Sequence, residues 1–224
     1  MSNYSALSDK LILQYLNEKI IIDPFNPRNL NTSSYDVTLG EYFFREQGLN
    51  DDRPNNIYNI YSESMVKQVW GKYNEAKPYS HYKANGIILE NIKDDDKIIF
   101  INPGETILAH TNEFIGGVNS VTSMMKARSS MGRNFIKTCS CAGWGDCGYF
   151  NRWTMEITNT SIEYRIPLVV GRRIAQIIFF ETDGILNKSY NEEGKYQKYN
   201  GLAELKKMWR PDDMLPKLYN DYEI

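Results

Sequence analysis

The sequence is poor in the groups that build metal centres and covalent staples. Of 224 residues only two are histidine, His81 and His110, and three are cysteine, Cys139, Cys141 and Cys147. The cysteines are odd in number and crowded into one stretch, which excludes a disulfide framework. Their Cys-x-Cys-x5-Cys spacing matches no usual zinc pattern and neither histidine lies nearby, so the expectation is free thiols and no bound metal. Charge of one sign is missing too: 26 Lys and Arg against 28 Asp and Glu give a formal net charge of −2. No overall field gathers nucleic acid or an anionic membrane, and any anion site has to be local. No apolar run approaches the length of a membrane span, and Met1-Ser-Asn-Tyr4 lacks the basic flank and apolar stretch of a signal peptide. The expectation is a soluble, cytoplasmic protein with no membrane or nucleic-acid partner.

What is present is a succession of short extended segments. Ser8-Asp9 with apolar Leu11, Ile12, Tyr15 and Leu16 predicts a capped amphipathic helix. Ile20-Ile-Ile22, stopped by Asp23-Pro24, predicts a short strand. Ser34 to Gly40 alternates, with Tyr35, Val37 and Leu39 on one face, and Tyr42-Phe-Phe44 resumes after a turn at Gly40. Residues 48–96 are polar, with a turn or two of helix between Tyr61 and Tyr73 and a strand at Gly86 to Glu90. Lys97 to Asn102, a Pro103-Gly104 turn and Thr106 to His110 predict a hairpin. Val121 to Ala127 predicts a strand that delivers Arg128 to a short helix or turn through Asn134, with two hydroxyls where free backbone N–H groups favour phosphate. Four more strands follow, at Phe135 to Cys141, Trp153 to Asn159, Arg165 to Val170 and Arg173 to Phe180. Many short strands with few helices predict an all-β barrel or double-sheet domain over residues 1–184. Residues 185–224, too polar for a core, read as an arm that closes over a ligand or a neighbouring subunit.

Between Ala127 and Asn159 two arginines, two hydroxyls, an aspartate and a glutamate sit among apolar residues, a mixture that suits a pocket for a polyanion. Each has an ordinary reading beside the functional one. Arg128 and Arg133 can pair with carboxylates, Asp146 can be a turn residue in a glycine-rich loop, and alternation alone lets Glu156 face either side of its strand. Trp144 and Trp153 read as packing residues and the two histidines as structural or exposed.

Taken in order, these segments resemble the dCTP deaminase family of the trimeric dUTPase-like superfamily. The resemblance rests on Ile22-Asp-Pro-Phe, Ser34-Tyr-Asp-Val-Thr-Leu-Gly40, the Pro103-Gly-Glu105 turn, Arg128-Ser-Ser-Met-Gly-Arg133, Ala142-Gly-Trp-Gly-Asp146-x-Gly148, Thr154-Met-Glu-Ile-Thr-Asn159, Gly171-Arg-Arg-Ile-Ala-Gln176 and Gly194-Lys-Tyr-Gln197. It implies a homotrimer of distorted β-barrels with active sites between subunits, and dCTP and dUTP as nucleotide partners. Carried over, Glu156 is the general base and proton shuttle, Ser129 and the carbonyl of Ala142 hold the attacking water, and Arg133 stands beside the glutamate. Arg128, Ser130, Gln176 and Lys195 bind triphosphate, Asp146 the sugar 3′-hydroxyl, and Tyr190, Tyr196 and Gln197 belong to the closing arm. Magnesium rides on the triphosphate and no zinc is held.

The implied reaction is metal-free hydrolysis of dCTP to dUTP and ammonia. The Ala-Gly-Trp loop and Gln176 resemble members that go on to dUMP and diphosphate. The H-x-E…P-C-x-x-C signature of zinc deaminases is absent, so one carboxylate has to act as acid and base in turn. Two other readings stand beside it: a dUTP diphosphatase without deaminase activity, and a non-catalytic nucleotide-binding regulatory trimer. The sequence departs from the family at Cys147, at Cys141, at Tyr199, and at Asn151, where a glycine is common and a left-handed backbone would suit asparagine.

Overall fold

The computed structural model describes residues 6–48, 56–185, 190, 194–197, 199 and 201–221. The described residues form thirteen strands: β1 (Ile20–Asp23), β2 (Leu30–Asn31), β3 (Ser34–Arg45), β4 (Asn74–Glu75), β5 (Lys77–Pro78), β6 (Lys97–Ile101), β7 (Thr106–Gly117), β8 (Val121–Ala127), β9 (Ile136–Thr138), β10 (Trp144–Gly145), β11 (Phe150–Asn159), β12 (Ile166–Val169) and β13 (Arg173–Glu181). The helices are short: α1 (Asp9–Tyr15), α2 (Glu63–Trp70), α3 (Tyr79–Lys83), α4 (Ser129–Gly132) and α5 (Leu202–Met208). The expected mainly-β architecture is borne out. One sheet follows the order β10-β8-β13-β3-β7-β11-β9, and a smaller one runs β12-β6-β5.

β7 is the centre of the larger sheet, pairing with β1, β3 and β11. Because successive side chains alternate faces, β3 and β7 feed two cores. Phe43, Ile107, Ala109 and Ile115 join Tyr35, Val37, Met125, Trp153, Met155, Ile157, Ile177 and Phe179 in the main core. Phe44, Leu108 and Phe114 turn to the other face, where Phe150, Val66 of α2 and Leu205, Trp209, Met214 and Leu215 cover them. The segment after residue 200 therefore supplies core residues, against the reading of residues 185–224 as too polar for that. Its apolar side chains are few, but Leu205, Trp209, Met214 and Leu215 are all spent on one sheet face.

Four local expectations are corrected. The Pro103-Gly104 turn exists, yet it joins no hairpin, since β6 pairs with β12 and β5 while β7 lies in the other sheet. The turn is clasped by Asn159 instead: Gly104 N–H donates to the Asn159 carbonyl and Asn159 N–H to that of Glu105. Gly86 to Glu90 forms no strand; Ile87 and Leu89 pack on a third small core around Tyr79, and the Leu89 N–H donates to the Tyr79 hydroxyl at 2.6 Å. Gly40 makes no turn but continues β3 through an irregularity in register between Leu39 and Phe43, lying flat against the His110 ring. Asn151 is not left-handed; it lies within β11 and is buried.

Candidate active site

β11 sets the geometry. Asn151, Trp153, Met155, Ile157 and Asn159 are buried, while Arg152, Thr154, Glu156 and Thr158 on alternate positions are half-buried. In the register with β7, Glu156 stands opposite Leu108 and Arg152 opposite Phe114. These are members of the second core, so the glutamate and arginine share its face. Trp209, Asp213, Met214 and Pro216 lie across that face and leave a cavity of about 360 Å³, floored by Leu108 and β11 and walled by the loop from Ala142 to Tyr149. That volume falls in the range of small-molecule sites.

Burial is the largest influence on Glu156 and pushes its carboxyl pKa upward, with its own backbone and the Cys139 thiol partly opposing. The Cys139 thiol is in turn pushed up by burial and by the neighbouring glutamate, so it stays protonated. A desolvated glutamate takes up a proton more readily near neutral pH than a surface one, which is what a proton shuttle requires.

Five of the residues singled out from the sequence line this cavity: Ala142, Asp146, Glu156, Tyr190 and Tyr196. Asp146 accepts from the Trp144 indole N–H at 3.1 Å. Trp144 is 55% exposed and stacks on Phe180 at 6.3 Å, whereas Trp153 is buried and donates to the Ile115 carbonyl at 2.8 Å. Tyr190 meets Tyr149 edge to face at 5.3 Å. Tyr196 is held by its carbonyl, which accepts from Asn151, and by its hydroxyl, which accepts from Lys217 N–H. Gln197 is buried and takes both backbone groups it can reach, accepting from Phe150 N–H at 2.8 Å and donating to the Gly148 carbonyl at 3.1 Å. Lys195 is ion-paired with Asp221.

The remaining residues stand apart. Ser129 and Ser130 begin α4 and are exposed, and Arg133 follows it, also exposed. Arg128 lines a second cavity, of about 460 Å³, together with Arg172 and Arg173. Its Nε lies 3.1 Å from the buried Asp36, which also receives Arg173 at 3.2 Å. Gln176 is half-buried on β13, between Asp36 of β3 and Lys126 of β8. Within one chain the serine and arginine motif does not line the glutamate's cavity.

Sequence reasoning passed over Arg152, Trp209, Asp213, Met214 and Pro216. Arg152 shares the parity of Glu156 on β11, a signal that was there to be read. Nothing local marks the others, because their place depends on where the tail docks. Among the described residues no three His, Cys, Asp or Glu side chains converge as metal ligands, and no helix is long and apolar enough to cross a membrane.

Comparison with known proteins adds the family. Residues 6–182 match the family model described as dCTP deaminase-like. The chain is 33% identical over 225 residues to a protein of Methanococcus maripaludis named dCTP deaminase, dUMP-forming, covering 97% of each chain. A Methanocaldococcus jannaschii protein of the same name is 31% identical over 194 residues, 86% of this chain and 90% of its own. Among solved structures, the 2′-deoxycytidine 5′-triphosphate deaminase of Agrobacterium tumefaciens shares the fold at a TM-score of 0.56 and 16% identity, over 86% of this chain and 54% of that one. This chain thus spans about half the length of that neighbour. By its matched span and by its relatives, the chain belongs to the dCTP deaminase-like family.

Proposed function

We propose that this protein hydrolyses dCTP to dUTP and ammonia and carries the product on to dUMP and diphosphate. The observation that carries the reading is a half-buried glutamate, Glu156, with a raised pKa, in a nucleoside-sized cavity that also holds Asp146 and the Ala142 loop. The names of the relatives, dCTP deaminase, dUMP-forming, support the same chemistry.

In this reading water adds to C4 of cytosine. Glu156 accepts the proton that the nucleophile sheds and passes it to ring N3, so the ring carries no full charge as C4 becomes tetrahedral. The second water proton travels the same way to the exocyclic amine, the C4–N bond breaks, and ammonia leaves as the carbonyl forms. Positioned acid–base transfer is worth about 10²- to 10⁴-fold, and orientation of the water supplies much of the remainder. The Ala142 carbonyl and Ser129 hold that water, Arg133 steadies the glutamate, and Asp146 takes the sugar 3′-hydroxyl. Arg128, Ser130, Gln176 and Lys195 take the triphosphate. Tyr190 and Tyr196 close the arm, which Gln197 pins to the backbone of Gly148 and Phe150.

Ser129, Ser130 and Arg133 are exposed and away from the cavity. We therefore assign the working unit as a homotrimer in which the α4 motif of one copy meets the cavity of the next. Magnesium enters with the triphosphate as part of the substrate. The test is a product analysis of dCTP and dUTP incubations with magnesium, resolving ammonia, dUTP, dUMP and diphosphate. Ammonia released in step with dCTP consumption is expected, with dUMP and diphosphate accumulating. Diphosphate from dUTP beside inert dCTP, or no turnover of either nucleotide, would overturn the reading.

A further inference from the structure

Arg152 is the one cation among the described residues that line the cavity of Glu156. Its guanidinium carbon lies 5.1 Å from the ring centre of Phe114 and 4.8 Å from that of Trp209, so two aromatic groups hold it. The Phe114 contact follows from the register, because the two residues are cross-strand partners on β11 and β7. The Trp209 contact comes from a segment beyond the residues that the family model matches.

What its buried Nε lacks is an acceptor among the described residues. Among the described residues its side chain makes no hydrogen bond or ion pair, and its Nε is buried without a partner. Leaving a buried charged donor unused is unfavourable, so an orphan of this kind calls for a partner. Glu41 and Glu113 act on it only at a distance, while burial draws its pKa below the usual arginine value.

The geometry points to Arg152 as a substrate-binding residue that donates to the ring carbonyl of the pyrimidine, the acceptor that cytosine and uracil share, with Trp209 as the residue that positions it. The assignment rests on the proposed function and deepens it. The nucleoside half is the part addressed because Glu156 and Asp146 line the same cavity. The groups assigned to phosphate, Arg128, Ser130, Gln176 and Lys195, do not line it. A ring carbonyl common to substrate and product also lets one arginine serve both deamination and the step to dUMP.

The test uses the full chain carrying Glu156→Gln, so that dCTP binds without turnover, and calorimetric titration with magnesium-dCTP and with inorganic tripolyphosphate. Adding Arg152→Met keeps an apolar stem between Phe114 and Trp209 and removes every donor. The dissociation constant for dCTP should rise about 10- to 100-fold, the loss of one charge-assisted hydrogen bond. Tripolyphosphate affinity should be unchanged, and the unliganded thermal midpoint unchanged or raised, since the orphaned donor is gone. Trp209→Leu should weaken dCTP several-fold by freeing the guanidinium.

Unaltered dCTP affinity in Arg152→Met would overturn the assignment. So would an equal loss of tripolyphosphate binding, which would place the acceptor on phosphate. A fall in affinity accompanied by a lower unliganded midpoint or a changed assembly mass would make Arg152 a structural or subunit contact and overturn it as well. Ammonia release by the unaltered protein together with unchanged affinity in Arg152→Met would sink this inference alone. Absence of ammonia with weakened dCTP binding would sink only the proposed reaction.

Discussion

His110 offers a quantitative check on how the second core is closed. The ring is fully buried in β7. Its Nδ1 lies 2.8 Å from the Thr111 carbonyl and its Nε2 3.3 Å from the Tyr42 N–H, so the first donates, the second accepts, and the ring is neutral. Tyr42 stacks on it at 5.9 Å and Trp209 packs at 4.7 Å. Burial lowers its pKa from 6.5 to about 4, with Arg152 adding to the effect and the Thr111 carbonyl and Glu41 opposing it. A histidine held neutral in the fold is protonated first in the unfolded chain. Its contribution is therefore present above pH 6.5 and is lost as pH falls toward 4. Integrated to pH 4.5, the loss is about 2–3 kcal/mol. The assay is urea unfolding of the parent and of His110→Gln at pH 7 and pH 4.5, at one protomer concentration. Subtracting the variant removes the part due to carboxylates. The parent's stability relative to the variant should shrink by about 2–3 kcal/mol between the two pH values. Parallel curves would refute the reasoning, because they would mean that His110 titrates in the folded protein as it does in the unfolded one.

Two further perturbations test the frame around the site. A Cβ added at Gly40 would sit 2.0 Å from the His110 ring, which Tyr42 and Trp209 hold from other sides. Gly40→Ala should therefore destabilise by about 1–3 kcal/mol, seen as a thermal midpoint lowered by roughly 2–12 °C. Asn159 is buried and donates to the Ile101 and Tyr164 carbonyls at 3.1 and 2.7 Å, while accepting from Ser161 N–H at 2.9 Å. Asn159→Asp places an ionised carboxylate against two carbonyl oxygens. It should be more destabilising than Asn159→Ala at pH 7, by denaturant midpoint, with the gap narrowing at pH 4 as the acid is protonated.

Strand positions were legible wherever alternation or β-branched runs mark them, as at β1, β8, β12 and β13. Partner choice was not. Pro103-Gly104 signals a reversal, but only the packing of Ile98 to Ile101 against Leu168 and Val169 sends β6 to the smaller sheet. Gly86 to Glu90 carries a strand-like run, but its Ile87 N–H donates to the Tyr82 carbonyl and its Leu89 N–H to the Tyr79 hydroxyl, and the latter has no trace in the sequence. At the candidate site, the ordered motifs named Glu156, Asp146 and Ala142, which line the cavity. Which of them share one cavity depends on Trp209 and its neighbours crossing the sheet. Their sequence, Trp209-Arg-Pro-Asp-Asp-Met214, shows no periodicity that would seat it there. Arg152 differs from these: its spacing of four from Glu156 places both on one face of the strand, and that signal was legible in the sequence.

The central claim is that one desolvated carboxyl both activates water and delivers protons. It is tested most directly by ammonia release from magnesium-dCTP under single-turnover conditions, comparing the parent with Glu156→Gln. The account predicts that the variant still binds dCTP while ammonia release falls by at least about 10²-fold. Release within a few-fold of the parent would contradict it, because the proton transfers would then belong to another group.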